Sequence, residues 1–195
     1  MCGITGCLAL ADGAGPDTEW VGRAAMRLAH RGPDDEAFFA DQHLALGFRR
    51  LAIIDTSPVG RQPMQSADGR FVIVFDGEIY NYGELAQQLL ARGVRLRSRS
   101  AAEVLLEMYA WLGKDVVRQL RGMYAFAIWD RRNLELFCAR DPFGIKPFTG
   151  DRRQNGSYDI PAGGALVLRY RVFIHHGNPS QVGVAEAYRR FAAQN

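Results

Sequence analysis

Cys2 is the residue in this chain with the clearest chemical reason to react. Removal of Met1 is expected when the second residue is small, and it leaves a cysteine whose own α-amine stands beside its thiol. Such an amine titrates near about 8, against about 10.4 for a lysine. It can take a proton at neutral pH, so nucleophile and base sit in one residue. The thiolate is the reactive form, and neighbours of this kind set its population. The plain alternative is that a cysteine at position 2 is an accident of sequence. Cys7 lies in an apolar stretch and reads as a small buried hydrophobe. Asp34, Asp35 and Glu36 stand together, yet no His or Cys lies at ligand spacing from them, so they do not read as a metal site. His175 and His176 read as a solvated pair at a strand end.

Several elements must position these groups. Cys2–Leu10, Ala37–Ala40, Leu44–Ile54 and Phe71–Phe75 read as strands, the last a short apolar run bounded by polar residues. Trp20–Leu28 has helical spacing, with Trp20, Ala24 and Leu28 beside Val21 and Ala25. Asn81 followed by Glu84, and Ser100 followed by Glu103, are capping-box patterns ahead of apolar helical runs. A short helix is predicted near Asp115–Leu120. Met123–Trp129 and Leu134–Ala139 flank a polar turn from Asp130 to Asn133 and form a hairpin signal. After Phe148 the chain turns polar and glycine-rich, with a further strand at Leu166–Ile174 and a helix at Val184–Ala193. Dispersed strands, two helices in succession and a hairpin predict an α+β layered domain rather than a βαβ repeat.

Composition narrows the function classes. The 195 residues are 48% hydrophobic with a formal net charge of +3, which excludes a disordered chain. The positive excess falls after Phe148 and forms no basic run, so no nucleic-acid footprint is present. No apolar run approaches the roughly 20 residues of a membrane span. The start carries no basic region ahead of an apolar stretch, which argues against a secretory signal. Three cysteines make no even disulfide framework, and a cytoplasmic, reducing setting is expected.

Six motifs occur in order: MCGITG, HRGPDDE from His30, GFRRLAIID from Gly47, GEIYNY from Gly77, LRGMYAFAIWD from Leu120 and ARDPFGIKP from Ala139. Together they resemble the class II glutamine amidotransferase domain, an N-terminal-nucleophile hydrolase, most closely in the form found in the asparagine synthetase family. The resemblance covers residues 1–148. It implies a four-layer αββα sandwich with the catalytic cysteine ending a central strand, and hydrolysis of L-glutamine to glutamate and ammonia through a thioester. It makes Cys2 the nucleophile and its amine the base. It places Arg50 on the substrate α-carboxylate, where a guanidinium fork meets both oxygens. Leu51, Ala52, Ile53 and Ile54 would add backbone contacts. Gly77 would offer its N–H to the oxyanion, and Glu78 would receive the substrate ammonium. Each has a plain alternative: a surface arginine beside Arg49, a solvated turn glutamate, and a glycine that merely supplies a positive φ.

Three departures qualify that implication. The family has Asn where this chain has Asp76, and an ionised carboxylate cannot donate to an oxyanion. The family has Asp, a second ammonium anchor, where this chain has Ala101. A reduced hydrolytic rate is therefore expected, and a glutamine-binding remnant or an amidohydrolase of another specificity are the rival readings. The third departure is the tail: residues 149–195 carry no SGGxDS phosphate loop, so no ATP or magnesium site is expected in the chain. A truncation or fusion after Phe148 would account for that tail, and a separate ammonia-using synthetase is the expected partner.

Overall fold

The computed structural model describes residues 2–9, 15–52, 60–142 and 157–160. Within them, β1 (Gly3–Leu8), β2 (Asp35–Ala40) and β3 (Leu44–Arg50) form an antiparallel sheet in the order β1-β3-β2. A second antiparallel sheet has the order β4-β5-β6-β7-β8. Its strands are Met64–Gln65, Phe71–Ile79, Gly122–Asp130, Glu135–Arg140 and Ser157–Ile160. Helix α1 spans Thr18–Arg27, α2 spans Tyr82–Ala91 and α3 spans Ala101–Leu112, followed by a 3-10 turn over Gly113–Gln119.

Strand alternation assigns the layers. On β3, Leu44, Leu46 and Phe48 face the second sheet and meet Val72 and Val74 of β5, Trp129 of β6 and Cys138 of β7. The opposite face of β5, with Phe71, Ile73 and Phe75, packs on Leu85 and Leu89 of α2 and on Leu105, Met108 and Tyr109 of α3. Helix α1 covers the outer face of the first sheet. A Cβ on Gly47 would lie 3.1 Å from Val21 of α1, so the glycine lets helix and sheet approach. The result is the αββα sandwich of the N-terminal-nucleophile hydrolase type, with one core between the sheets and another under α2 and α3.

Several predicted elements shift in detail. Helix α1 buries Val21 and Ala25, whereas Trp20 is 47% exposed, because the tight approach to Gly47 favours small side chains. Cys7 is half-buried rather than buried. Strand β3 ends at Arg50 instead of running on through Leu51 and Ala52, whose main-chain groups turn to Cys2 and Asp34. Ile53 and Ile54 lie outside the described residues, as do the strand and helix expected after residue 160. The Asn81 capping box does not form: its side chain donates to the Gln119 carbonyl and accepts from the Arg121 N–H, tying α2 to β6. The hairpin stands as expected, with Asp130 held by both nitrogens of the Arg70 fork at 3.1 and 2.6 Å and by the N–H groups of Arg132 and Asn133.

Ser100 does cap α3, its hydroxyl accepting from the Glu103 N–H at 3.1 Å. The Glu103 carboxylate, 1% exposed, reaches further back and accepts from the N–H groups of Arg97 and Ser98 and from the Ser98 hydroxyl. Burial pushes this carboxyl up, but those hydrogen bonds and the Arg97 guanidinium outweigh it and hold it below its ordinary value. A depressed carboxylate contributes stability above the ordinary glutamate range, and that stability is lost as pH falls through the lowered value. Glu103→Gln should therefore cost about 2 kcal/mol at neutral pH. The deficit should shrink in acid, as read from urea midpoints. A deficit constant with pH would contradict this assignment.

Candidate active site

The alternation that buries Val72 and Val74 continues to Asp76, which enters the inter-sheet face where the apolar layer ends. Cys2 reaches the same place from the other sheet, immediately before β1. Its nitrogen lies 2.9 Å from Asp76 Oδ1 and donates to it. Its thiol lies 3.5 Å from the Leu51 N–H and 3.7 Å from the Leu51 carbonyl. Arg31, in the turn after α1, donates from Nε to the Cys2 carbonyl at 3.0 Å and pairs from Nη2 with Asp76 Oδ2 at 3.4 Å. The expectation that the cysteine ends a central strand is not met: among the described residues β1 is an outer strand, and β3 is central.

The cleft beside Cys2 is lined by Arg50, Gly77, Glu78 and Ala101, together with Leu51 and Ala52. Cys2, Asp76, Gly77, Arg50, Leu51, Ala52, Glu78 and Ala101 thus come together from β1, β3, β5 and the start of α3. Arg50 is 8% exposed, which removes the surface-arginine reading. Glu78 is half-buried in the cleft rather than in a solvated turn. Gly77 has φ +148°, and a Cβ there would stand 2.1 Å from the Met123 carbonyl oxygen of β6. The strand pair itself requires a glycine, whatever else its N–H does. Ala101 opens α3, so an acidic residue there would meet the helix N-terminus.

Sequence reasoning does not single out Arg31, Gln62 or Arg99. Arg31 lies inside the HRGPDDE motif, which was the available signal. Gln62 exchanges two hydrogen bonds with the main chain of Phe75, so a side chain braces β5 just before Asp76. Arg99, at the cleft rim, carried no sequence signal. The acidic trio disperses: Asp34 accepts from Ala52 N–H, Asp35 pairs with Arg61 and Glu36 with Arg49. Cys138 is buried between the sheets, and burial pushes its thiol up to about 12. It is not a thiolate near neutrality, which leaves the cleft to Cys2.

Comparison with known proteins bears on the whole arrangement. The model of the glutamine amidotransferase domain family matches residues 1–163. Glutamine-hydrolyzing asparagine synthetase 1 of Bacillus subtilis is 43% identical over 150 residues, covering 75% of this chain and 23% of that protein. A putative glutamine-hydrolyzing asparagine synthetase of Mycobacterium bovis is 41% identical over 162 residues, covering 75% of this chain and 25% of that protein. The chain thus spans about a quarter of the length of these relatives. A solved structure of the B. subtilis glutamine phosphoribosylpyrophosphate amidotransferase aligns with a TM-score of 0.46 at 27% identity, over 54% of this chain and 25% of that one. The family match spans both sheets and every cleft residue named above, and on that ground the chain belongs to the class II glutamine amidotransferase domain family.

Proposed function

We propose that the chain hydrolyses the side-chain amide of glutamine, with Cys2 as nucleophile. The observation that carries this reading is the convergence on Cys2 of the Asp76 carboxylate as acceptor for its nitrogen, the Leu51 main-chain N–H as donor to its sulfur, and a cleft lined by the buried Arg50 cation and the half-buried Glu78 carboxylate. Arg50 would take the substrate α-carboxylate and Glu78 its ammonium, leaving the amide carbon at the thiol. The thiolate attacks that carbon, forming the C–S bond, and the carbonyl oxygen becomes an oxyanion. Collapse breaks the C–N bond, and ammonia leaves with the proton held by the Cys2 α-amine. Water then cleaves the γ-glutamyl thioester, releasing glutamate and restoring the thiol.

The ammonia would be consumed by a synthetase activity, as the relatives' names, glutamine-hydrolyzing asparagine synthetases, suggest. The test is glutamine-dependent ammonia release by protein whose first residue is Cys2, with labelling of Cys2 by a glutamine-mimicking electrophile. Absence of both would remove this reading. A second reading, a glutamine-binding remnant with little turnover, is favoured by Asp76 and Ala101. It is the outcome if glutamine binds but releases no ammonia.

The missing anchor makes a graded prediction. A charge-assisted contact is worth about 1.5–3 kcal/mol, and an ammonium anchor acts on ground and transition states alike. Ala101→Asp should lower KM by about 10- to 100-fold with little change in kcat. The new carboxylate would also suit the N-terminus of α3. A KM that stays in place would mean that the ammonium does not approach this end of the cleft.

A further inference from the structure

We propose that Asp76 is a positioning residue for the Cys2 α-amino group, and that with Arg31 it sets the pH at which the nucleophile becomes active. One carboxylate oxygen takes the Cys2 nitrogen at 2.9 Å, and the other pairs with Arg31 at 3.4 Å. Arg31 Nε holds the Cys2 carbonyl at 3.0 Å, so the two side chains grip both ends of the residue's main chain. Asp76 is 8% exposed, and its approach is fixed by the alternation of β5. A neutral amide at this position would offer the amine an acceptor without a charge. The carboxylate adds attraction for the ammonium form.

The sign follows directly. An opposite charge close by favours the charged form of a titrating group, and a like charge disfavours it. Asp76 therefore delays loss of the first proton from the amine–thiol pair to higher pH, and Arg31 opposes that delay. Other charges face the same region. Arg50 comes from β3, Glu78 from β5 and Arg99 from the loop before α3, all lining the cleft with the titratable Tyr82 of α2. Arg140 of β7 shares the inter-sheet row with Asp76, separated from it by Ala125 of β6. None of these is altered by exchanging Asp76 or Arg31, so the two exchanges should act in opposite directions.

The experiment uses protein beginning at Cys2, labelled with 13C-cysteine, with its Cys2 Cα and Cβ signals followed between about pH 5 and pH 10. Asp76→Asn should move the titration midpoint down by about one pH unit, and Arg31→Met should move it up. The signal of Cys138, buried between the sheets, reports that each variant is folded. The acid limb of kcat/KM for glutamine should move in parallel with the midpoint. A purely structural role for either residue would change rates without moving the midpoint.

A midpoint that stays in place or rises in Asp76→Asn overturns the proposal, as does a downward move in Arg31→Met. The kinetic arm rests on the glutamine-hydrolysing reading, but the titration does not. Midpoints that move as stated in protein that releases no ammonia would uphold this proposal and reject that reading.

Discussion

Cys2→Ala should release no ammonia from glutamine and take no label from a glutamine-mimicking electrophile, while its unfolding free energy stays within about 1 kcal/mol of the parent protein. The exchange removes the only cysteine placed in the cleft among the described residues. It leaves the nitrogen on Asp76 and the Arg31 contact to the carbonyl in place. Cys2 is half-buried and packs only against the edge of the core between the sheets, so little packing is lost. Measuring ammonia release and thermal unfolding on the same preparation separates chemistry from stability. Equal rates in parent and variant would remove Cys2 from the mechanism, and so would full activity in protein that retains Met1.

Asp76→Asn should raise kcat by about 10²-fold or more, measured above the acid limb so that protonation does not enter. An ionised carboxylate has no hydrogen to give, and in the proposed reaction its charge would face an oxygen that becomes negative only in the transition state. Replacing a missing oxyanion donor is worth about 2.7–4 kcal/mol. The asparagine keeps an acceptor for the Cys2 nitrogen on the oxygen side. Its new amide hydrogens replace the oxygen now paired with Arg31, so the guanidinium has to turn aside. A kcat within about threefold of the parent would show that another group already supplies the donor. Combined with Ala101→Asp, the effects should be nearly additive, since one acts on the amide oxygen and the other on the ammonium.

Much of this site is legible in the sequence because it is built from short local runs. Gly77 and Glu78 directly follow Asp76, and Arg50 directly precedes Leu51 and Ala52, so one motif delivers several neighbours at once. The layers are legible for the same reason: period-two alternation in β3 and β5 assigns each side chain to a core. What escapes is side-chain reach across elements. Arg31 is four residues beyond the end of α1, and nothing local says that it crosses to Asp76 on the other sheet. Asn81 and Glu84 have the spacing of a capping box, yet Asn81 turns to Gln119 and Arg121. Leu51, just past the end of β3, likewise meets a distant partner, its N–H donating to the Cys2 thiol. Glu103 is the intermediate case, since its helix cap was local but its service to the loop at Arg97 and Ser98 was not.

Cys2 and Asp76 arrive from different sheets, and the Arg31 between them arrives with α1. Neither sheet alone holds a complete set. The chemistry of the thiol is consequently a property of the stacked state: before the layers close, Cys2 is an ordinary cysteine with an ordinary terminal amine. A reagent selective for the activated thiol would then act as a census of molecules whose two halves have met, and its labelling rate would follow assembly of the sandwich rather than the folding of either sheet.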